Sequence, residues 1–129
     1  MTPLETVREV YRAMRAGDDA GFTALCTDDL VWQQSAGFPG GSTWQGATAV
    51  IENVFRANAK RWTGFSFTEE EIFGTSSRVV VLGHYSGTSP ATGKAMRAAV
   101  AHVYDLREGK ICRFRMFADT HPMWEALSA

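Results

Sequence analysis

Asp119 is the residue of this sequence whose position first suggests chemistry. It ends the aromatic, strand-like run FRMFAD and is followed at once by Thr120, His121 and Pro122. A carboxylate that loses hydration at the rim of an apolar hollow becomes a better proton acceptor, and general bases are made in this way. The simpler interpretation is that Asp119 or Thr120 caps a short terminal helix over 121–127. The residues alone leave both interpretations open.

The other reactive side chains form no recognisable metal or cofactor motif. Three histidines lie far apart, without the spacing of a metal site: His84, His102 and His121. Cys26 and Cys112 form no CxxC and stand in apolar surroundings, where a buried thiol is expected. The glycine-rich segment 35–43 lacks the GK[ST] ending of a phosphate-binding loop, so we expect a flexible flap there. Neither an organic cofactor nor a metal ion is implied.

The composition excludes several classes of partner. The chain has 129 residues, 45% of them hydrophobic, which suits one domain over residues 1–129 with a single substantial core. Thirteen basic and fourteen acidic residues leave a formal net charge of −1, so neither nucleic acid nor an anionic membrane surface is an expected partner. The amino end carries charges throughout and has neither a signal-peptide core nor a membrane-length apolar run. We therefore predict a soluble, cytoplasmic protein.

Local signals predict the elements that would position these residues. A capping box formed by Thr2 and Glu5 starts an amphipathic helix that ends at Gly17, and we interpret the arginines on its outer face as solvated: Arg8, Arg12 and Arg15. A short second helix follows and ends near 27–29. A strand over 30–34 and a third helix from about 46 to 62 come next. Turn signals separate four further strands, at 65–73, 78–88, 94–106 and 110–118, and their short connections make them antiparallel neighbours.

This order of elements predicts an α+β fold in which three amino-terminal helices pack on a strongly curved, mostly antiparallel sheet with a hollow at its open end. Four segments also resemble, in order, a SnoaL-like domain of the NTF2-like superfamily: VREVYRAMRAGDDAGFTALCTDDLVW, WQGATAVIENVF, RVVVLGHYSGT and AHVYDLREGKICRFRMFADT. That superfamily includes ketosteroid isomerase, limonene epoxide hydrolase and the polyketide cyclases. The resemblance implies a cone-shaped α+β barrel, with either cofactor-independent acid–base catalysis or binding of a small hydrophobic ligand.

The catalytic residues of these relatives carry over only in part. Aligned through the shared Ala-Gly-Asp and Asp-Asp landmarks, the ketosteroid isomerase positions fall on Val10, Gln34 and Ala101, none of which can exchange a proton. The epoxide hydrolase pattern matches at Arg78 and Asp119 but lacks its middle aspartate. In the SnoaL-type polyketide cyclases, an aspartate near the end of the last strand removes a proton α to a carbonyl, and Asp119 occupies that place. The resemblance therefore favours cyclase- or isomerase-like chemistry, with epoxide hydrolysis as a minor alternative.

The facing of the strands determines the rest of the predicted site. If Arg78 points inward, as the resemblance implies, alternation along its strand turns Leu82 and His84 inward too. His84 would then polarise a substrate carbonyl or pair with Asp119, and either His84 or an inward backbone donor would stabilise the enolate that Asp119 creates. We assign a catalytic role to both side chains. The same alternation turns Arg97 inward on the next strand. The full predicted pocket is largely aromatic and aliphatic: Tyr11, Trp32, Gln34, Phe55, Trp62, Arg78, Leu82, Arg97, Ala101, Val103 and Phe117.

The expected ligand and the expected assembly follow from this arrangement. We expect the hollow to hold a small apolar or carbonyl-bearing molecule, with a non-catalytic binding or accessory protein of the same fold as the alternative class. The opposite facing puts Val79, Val81, His102 and Tyr104 on the outside of the sheet as a semi-apolar patch. We expect a second copy of the chain to cover that patch in a homodimer.

Overall fold

The first helix forms as its local signals predict. The computed structural model describes all 129 residues. Helix α1 (Pro3–Ala16) begins at the capping box, in which Thr2 Oγ1 accepts a hydrogen bond from the Glu5 N–H and Glu5 Oε1 accepts one from the Thr2 N–H. It ends at Gly17, whose φ of +65° favours a residue without a side chain.

The second and third helices bring the chain across the inner face of the sheet. Helix α2 (Asp19–Ala24) is shorter than predicted, because Cys26 already pairs with the sheet. The third predicted helix is a continuous helical stretch in three parts: α3 (Ala47–Val50), a π-helical turn (Ile51–Phe55) and α4 (Arg56–Arg61). Turns of this wider kind are rare and are frequent at functional sites. A short helix, α5 (His121–Leu127), follows the last strand.

Six strands form one mixed sheet in the order β2–β1–β6–β5–β4–β3. Their bounds are β1 Cys26–Gln34, β2 Thr43–Gln45, β3 Thr63–Gly74, β4 Arg78–Thr88, β5 Ala95–Arg107 and β6 Lys110–Ala118. All neighbouring strands are antiparallel except β1 and β6, which run parallel. The predicted α+β layout, with three amino-terminal helices against a curved, mostly antiparallel sheet, is confirmed.

The core-facing side of β5 is the opposite of the predicted one. The buried set is Met96, Ala98, Val100, His102, Tyr104 and Leu106. The outward set is Arg97, Ala99, Ala101, Val103, Asp105 and Arg107. Only one residue of the buried set is strongly polar, whereas the outward set carries two arginines and an aspartate. Burying the first set therefore removes more apolar surface from water and desolvates fewer charges.

The inner face of β4 is set by its pairing with β5. Val81 pairs with His102 in register, so the two side chains share the inner face. Val79 and Val81 are fully buried, and Arg78 lies outside. The prediction that Val79, Val81, His102 and Tyr104 form an outer patch is therefore wrong, because choosing the other alternation moves every side chain of a strand to the other face.

The glycine-rich loop between β1 and β2 is anchored to the body of the protein. Trp124 Nε1 donates a hydrogen bond to the Gly37 carbonyl (2.7 Å), and Arg61 Nη1 donates one to the Pro39 carbonyl (2.8 Å). The Phe38 ring is buried against Tyr85. This anchoring disagrees with the expectation of a free flap, and its cause is the contact with α4 and α5, which the local sequence does not reveal.

A continuous hydrophobic core lies between the helices and the inner face of the sheet. Both cysteines are free, with Cys26 buried and Cys112 half-buried. None of the helices combines the length and the apolar character that crossing a lipid bilayer requires.

Candidate functional site

A cavity of about 340 Å³ opens between the helices and the inner face of the sheet. Of its 17 lining residues 12 are hydrophobic, so it suits a largely apolar occupant. The exposed members of the lining, Arg15, Ala59 and Ser66, place the opening between the end of α1, α4 and β3. The lining as a whole is Tyr11, Met14, Arg15, Trp32, Gln34, Val54, Phe55, Asn58, Ala59, Phe65, Ser66, Phe67, Tyr85, His102, Tyr104, Phe114 and Met116.

Local structure explains how the apolar walls are built. The π-helical turn carries Val54 and Phe55 onto the cavity, and alternation along β1 carries Trp32 to the same side. Trp32 stacks on Phe114 of β6, with ring centroids 3.7 Å apart. Phe67 of β3 stacks on His102, with centroids 4.4 Å apart. Aromatic rings from four separate elements therefore enclose the space.

A hydrogen-bonded network, Tyr11–His102–Tyr85, lies at the polar centre of the cavity. Tyr11 Oη is 2.6 Å from His102 Nδ1, and Tyr85 Oη is 2.7 Å from His102 Nε2. His102 is 3% exposed, and this burial lowers its pKa to about 3, because an imidazolium would lose its hydration. Burial likewise raises the pKa of Tyr11 and of Tyr85 above the ordinary value for a phenol. All three side chains are therefore neutral at neutral pH.

The neutral state of His102 determines what the network can offer to a ligand. A neutral imidazole donates one hydrogen bond and accepts one, so one tyrosine donates to the ring and the other accepts from it. The accepting tyrosine does not use its own hydroxyl proton in the contact with His102. Because Tyr11 and Tyr85 both line the cavity, either tautomer of His102 leaves one O–H that can donate to an occupant.

Other polar groups of the cavity are neutral as well. Gln34 Oε1 accepts hydrogen bonds from the Ser42 N–H (3.2 Å) and from Trp44 Nε1 (3.1 Å), which leaves the Gln34 amide nitrogen without a partner. Asn58 is buried and its side chain makes no hydrogen bond within the chain. The Tyr104 hydroxyl is also buried, and it lies close to the Tyr11 hydroxyl. No three His, Cys, Asp or Glu side chains come together as a group that could hold a metal ion.

Four residues of the predicted pocket line this cavity, namely Tyr11, Trp32, Gln34 and Phe55. Trp62 is 1% exposed but packs in the core away from the cavity. The predicted inward positions of the remaining six are wrong, because they lie on the outer face of the sheet: Arg78, Leu82, Arg97, Ala101, Val103 and Phe117. The cause is the reversed facing of β4 and β5, and Phe117 shares the outer face because it pairs in register with Ala101.

The two predicted catalytic residues also lie outside the cavity. Asp119 is exposed beyond the end of β6, and its Oδ1 accepts a long hydrogen bond (3.4 Å) from the His121 N–H at the start of α5. Asp119 thus contacts the start of α5 from the position before the N-cap, Thr120, whose own side chain makes no capping hydrogen bond. On the outer face, His84 Nδ1 is 2.6 Å from Glu70 Oε1 and His84 Nε2 is 3.1 Å from Arg97 Nη1. The prediction that Asp119 and His84 meet at an apolar pocket is wrong.

Most of the lining is not predicted from the sequence, and three of the missed residues matter for function: His102, Tyr85 and Arg15. His102 and Tyr85 lie on the strand faces opposite to the predicted inner ones, and Arg15 belongs to the arginine stripe that the sequence predicts to be solvated. The sequence of β5 does contain a signal for its inner face. The residues at even positions from 96 to 106, MAVHYL, are far more apolar than those at odd positions from 97 to 107, RAAVDR. Comparing the two sets of that strand would have placed His102 inside.

Comparisons with known proteins agree with this fold. The chain belongs to the SnoaL-like domain family, whose model matches residues 7–114. It is similar to a solved NTF2-like protein from Burkholderia thailandensis, with 33% identity, a TM-score of 0.94 and coverage of 100% of this chain and 99% of the other. No curated protein gives a significant match.

Two further solved structures share the fold at lower identity. An NTF2-like protein of unknown function from Burkholderia pseudomallei has 26% identity and a TM-score of 0.86, with 98% of each chain covered. The structure of TerC co-crystallised with polyporic acid has 23% identity and a TM-score of 0.85, again with 98% of each chain covered. At the identity of TerC, the likeness shows the fold alone.

The burial of His102 predicts a pH dependence of stability. The unfolded chain binds a proton at this residue below about pH 6.5, whereas the folded protein does so only near pH 3. Unfolding therefore takes up a proton in this window, and stability should fall as the pH drops, by up to about 1.4 kcal/mol per pH unit, until the effect levels off below pH 3. Urea midpoints measured from pH 7 to pH 4 check this expectation.

The matched variant is His102→Gln, which removes the buried titrating group. Below about pH 6.5, the slope of the unfolding free energy against pH should be smaller in this variant than in the wild type by about one proton per molecule unfolded. Equal slopes in the wild type and His102→Gln would contradict the neutral burial of His102.

Proposed function

We propose that the protein binds a small, largely apolar molecule with a carbonyl or hydroxyl oxygen in the cavity described above. The observation that carries the proposal is the Tyr11–His102–Tyr85 network, which leaves one hydroxyl proton unused by the histidine within a largely apolar enclosure. An oxygen acceptor of the ligand would receive that proton's hydrogen bond. The apolar body would replace water against the aromatic walls.

The size and the charge of the cavity support this choice. Its volume of about 340 Å³ lies at the lower end of the range for small-molecule sites, which favours a compact ring system. The network is neutral, so it suits a neutral acceptor oxygen without the desolvation of a buried charge. TerC, with the same fold, was co-crystallised with polyporic acid, an instance of this architecture with a small molecule.

The first test compares two probes of equal shape. 2-Acetylnaphthalene has a ketone oxygen, and 2-isopropenylnaphthalene replaces it with a methylene group. Binding of both can be followed through tryptophan fluorescence, because Trp32 lines the cavity. We expect the ketone to bind about 2- to 10-fold more tightly, the usual worth of a single neutral hydrogen bond. The Tyr11→Phe/Tyr85→Phe double variant should lose this preference and still bind both probes.

The control for this comparison is Asp119→Asn, which changes an exposed residue outside the cavity and should leave both affinities unchanged. Failure of both probes, and of a wider panel of hydrophobic molecules, to change the fluorescence or raise the melting temperature would contradict the proposal. Equal binding of the two probes by the wild type would mean that the cavity recognises only apolar surface.

Catalysis of proton transfer, of the kind that an isomerase or a polyketide cyclase needs, is the second candidate function. The supporting observation is that His102 holds a tyrosine hydroxyl at each ring nitrogen. Suppose that Tyr11 gives its free proton to a ligand oxygen. The Nδ1 proton then moves to Tyr11 Oη, the Tyr85 proton moves to Nε2, and Tyr85 Oη takes a proton from the ligand's carbon α to the carbonyl.

This relay would convert a bound ketone into its enol without creating a buried charge. The ligand gains one proton at oxygen and loses one at carbon, and His102 only exchanges its tautomer. The balance matters because burial opposes an imidazolium at this position, as its lowered pKa indicates. A simple histidine base would meet that penalty, whereas a concerted relay avoids it.

Proton exchange at the acetyl group of 2-acetylnaphthalene tests the relay. In D₂O the wild type should incorporate deuterium at the methyl group faster than buffer alone, measured by NMR. Tyr85→Phe and His102→Gln should each slow this exchange by about 10²- to 10⁴-fold, the usual contribution of positioned acid–base groups. Asp119→Asn should not. Exchange at the buffer rate in the wild type would leave a binding protein, and loss of exchange in Asp119→Asn would return the base role to that residue.

We also propose a homodimer through the outer face of the sheet. Its interface residues differ from the patch predicted from the sequence, because that patch is buried in the core. The outer face exposes three large apolar side chains, Phe73, Leu82 and Phe117, which are 48%, 36% and 52% exposed. Register places Leu82, Ala101 and Phe117 side by side across β4, β5 and β6. An apolar patch in the middle of a sheet is self-complementary under two-fold symmetry, so a second copy can cover it.

Sedimentation equilibrium at micromolar concentration checks the assembly. The wild type should sediment as a dimer, and Phe117→Glu should shift it to monomer, because an uncompensated carboxylate would be buried at the interface. Lys60→Glu, a charge reversal on exposed α4, is the control and should remain dimeric. A monomeric wild type would contradict the proposed interface.

A further inference from the structure

Three arginines share the outer side of α1, and only two of them are neutralised by carboxylates. Arg8 lies 3.4 Å from Glu69, and Arg12 lies 2.7 Å from Glu9 and 3.3 Å from Asp18. Arg15 has no carboxylate within ion-pair distance and no side-chain hydrogen bond. The chain thus leaves one of the three positive charges available.

Arg15 is placed at the mouth of the cavity. Arg15 lies at the carboxyl end of α1, next to Met14, which also lines the cavity. Beside the opening, Arg15 also borders a shallow depression, together with Arg8 and Glu69. Since Glu69 is balanced by Arg8, the mouth keeps a net positive charge from Arg15. Among the 17 lining residues it is the only one that is charged at neutral pH, because the burial of His102 keeps that side chain neutral.

The position of this charge defines a particular kind of ligand. A guanidinium at the edge of an apolar enclosure attracts an anion more strongly than one in open water, because part of its surroundings is protein of low polarity. Its planar N–H groups match the two oxygens of a carboxylate. The interior offers no cation, so the anionic group has a partner only at the mouth.

We propose that Arg15 selects ligands that have an apolar body and a single anionic oxygen group, such as an aromatic carboxylate. The body fills the cavity and the anionic group stays at the opening against the guanidinium. This inference rests on the proposed binding function and narrows its ligand class. It makes Arg15 a residue that determines specificity, with the Tyr11–His102–Tyr85 network binding any neutral oxygen deeper inside.

The experiment compares 2-naphthoate with neutral 2-acetylnaphthalene in the full-length protein, using tryptophan fluorescence at pH 7 and low salt. Arg15→Gln should weaken 2-naphthoate binding about 3- to 10-fold, as expected for a partly solvated ion pair, and change the ketone less than 2-fold. Arg15→Lys should restore much of the naphthoate affinity. Arg12→Gln, on the same helix but paired with Glu9 and Asp18, is the matched control and should change neither probe.

Salt provides an independent readout. Raising NaCl to 0.5 M should weaken 2-naphthoate binding to the wild type and have little effect on Arg15→Gln. Equal losses for both probes in Arg15→Gln, or no loss for naphthoate, would overturn the inference while leaving the proposed binding function intact. If Arg12→Gln weakened 2-naphthoate binding as much as Arg15→Gln does, the overall positive charge of α1 would account for the selectivity, and the assignment to Arg15 would be overturned. If neither probe binds the wild type, the proposed function fails and this inference fails with it.

Discussion

Side chains alternate between the two faces of a β-strand, so burying one residue commits every second residue of that strand. In β5 this constraint puts His102 into the core together with Val100 and Tyr104, because the other alternation would bury Arg97 and Asp105. Pairing in register then carries the same facing to β4 and β6. The aromatic walls of the cavity and its polar centre both depend on this choice.

A histidine buried in this way is costly unless both ring nitrogens have hydrogen-bond partners. Tyr11 approaches from α1 and Tyr85 from β4, so the network also ties the helical layer to the sheet. The stacked ring of Phe67 covers the imidazole from β3. Hydrogen bonds at both ring nitrogens hold the imidazole and the two phenol rings in place, which pre-organises the hydroxyl groups toward the cavity. Packing and recognition therefore rely on the same three side chains.

The fold family accommodates different chemistries around one hollow, so function has to be argued from the side chains that reach it. The positions that correspond to the ketosteroid isomerase residues are unsuited here for structural reasons as well as chemical ones. Val10 is buried in the core, and Ala101 lies on the outer face. Gln34 does line the cavity, but its carbonyl oxygen is occupied by Ser42 and Trp44. What remains is a neutral, donor-rich centre with one cation at the rim.

The sequence by itself determined the features that depend on neighbouring residues. The capping box of α1, the bounds of β4 and β6, and the order of helices and strands all follow from residues a few positions apart. Cavity residues such as Trp32 and Phe55 can also be predicted from the sequence, because large side chains on the inner faces of β1 and of the third helix pack against each other between the sheet and the helices.

The tertiary structure alone decided which face of β4 is inside, because both faces of that strand carry apolar side chains that could be buried. Val79 and Val81 lie on one face, and Val80 and Leu82 lie on the other. Register with β5 removes the ambiguity. The same holds for the site, since Tyr11 and His102 are 91 positions apart and meet only when α1 crosses the sheet. Asp119 illustrates the converse: its local pattern fits both a base and a cap, and only the tertiary structure shows that it is exposed beyond the end of β6 and outside the cavity.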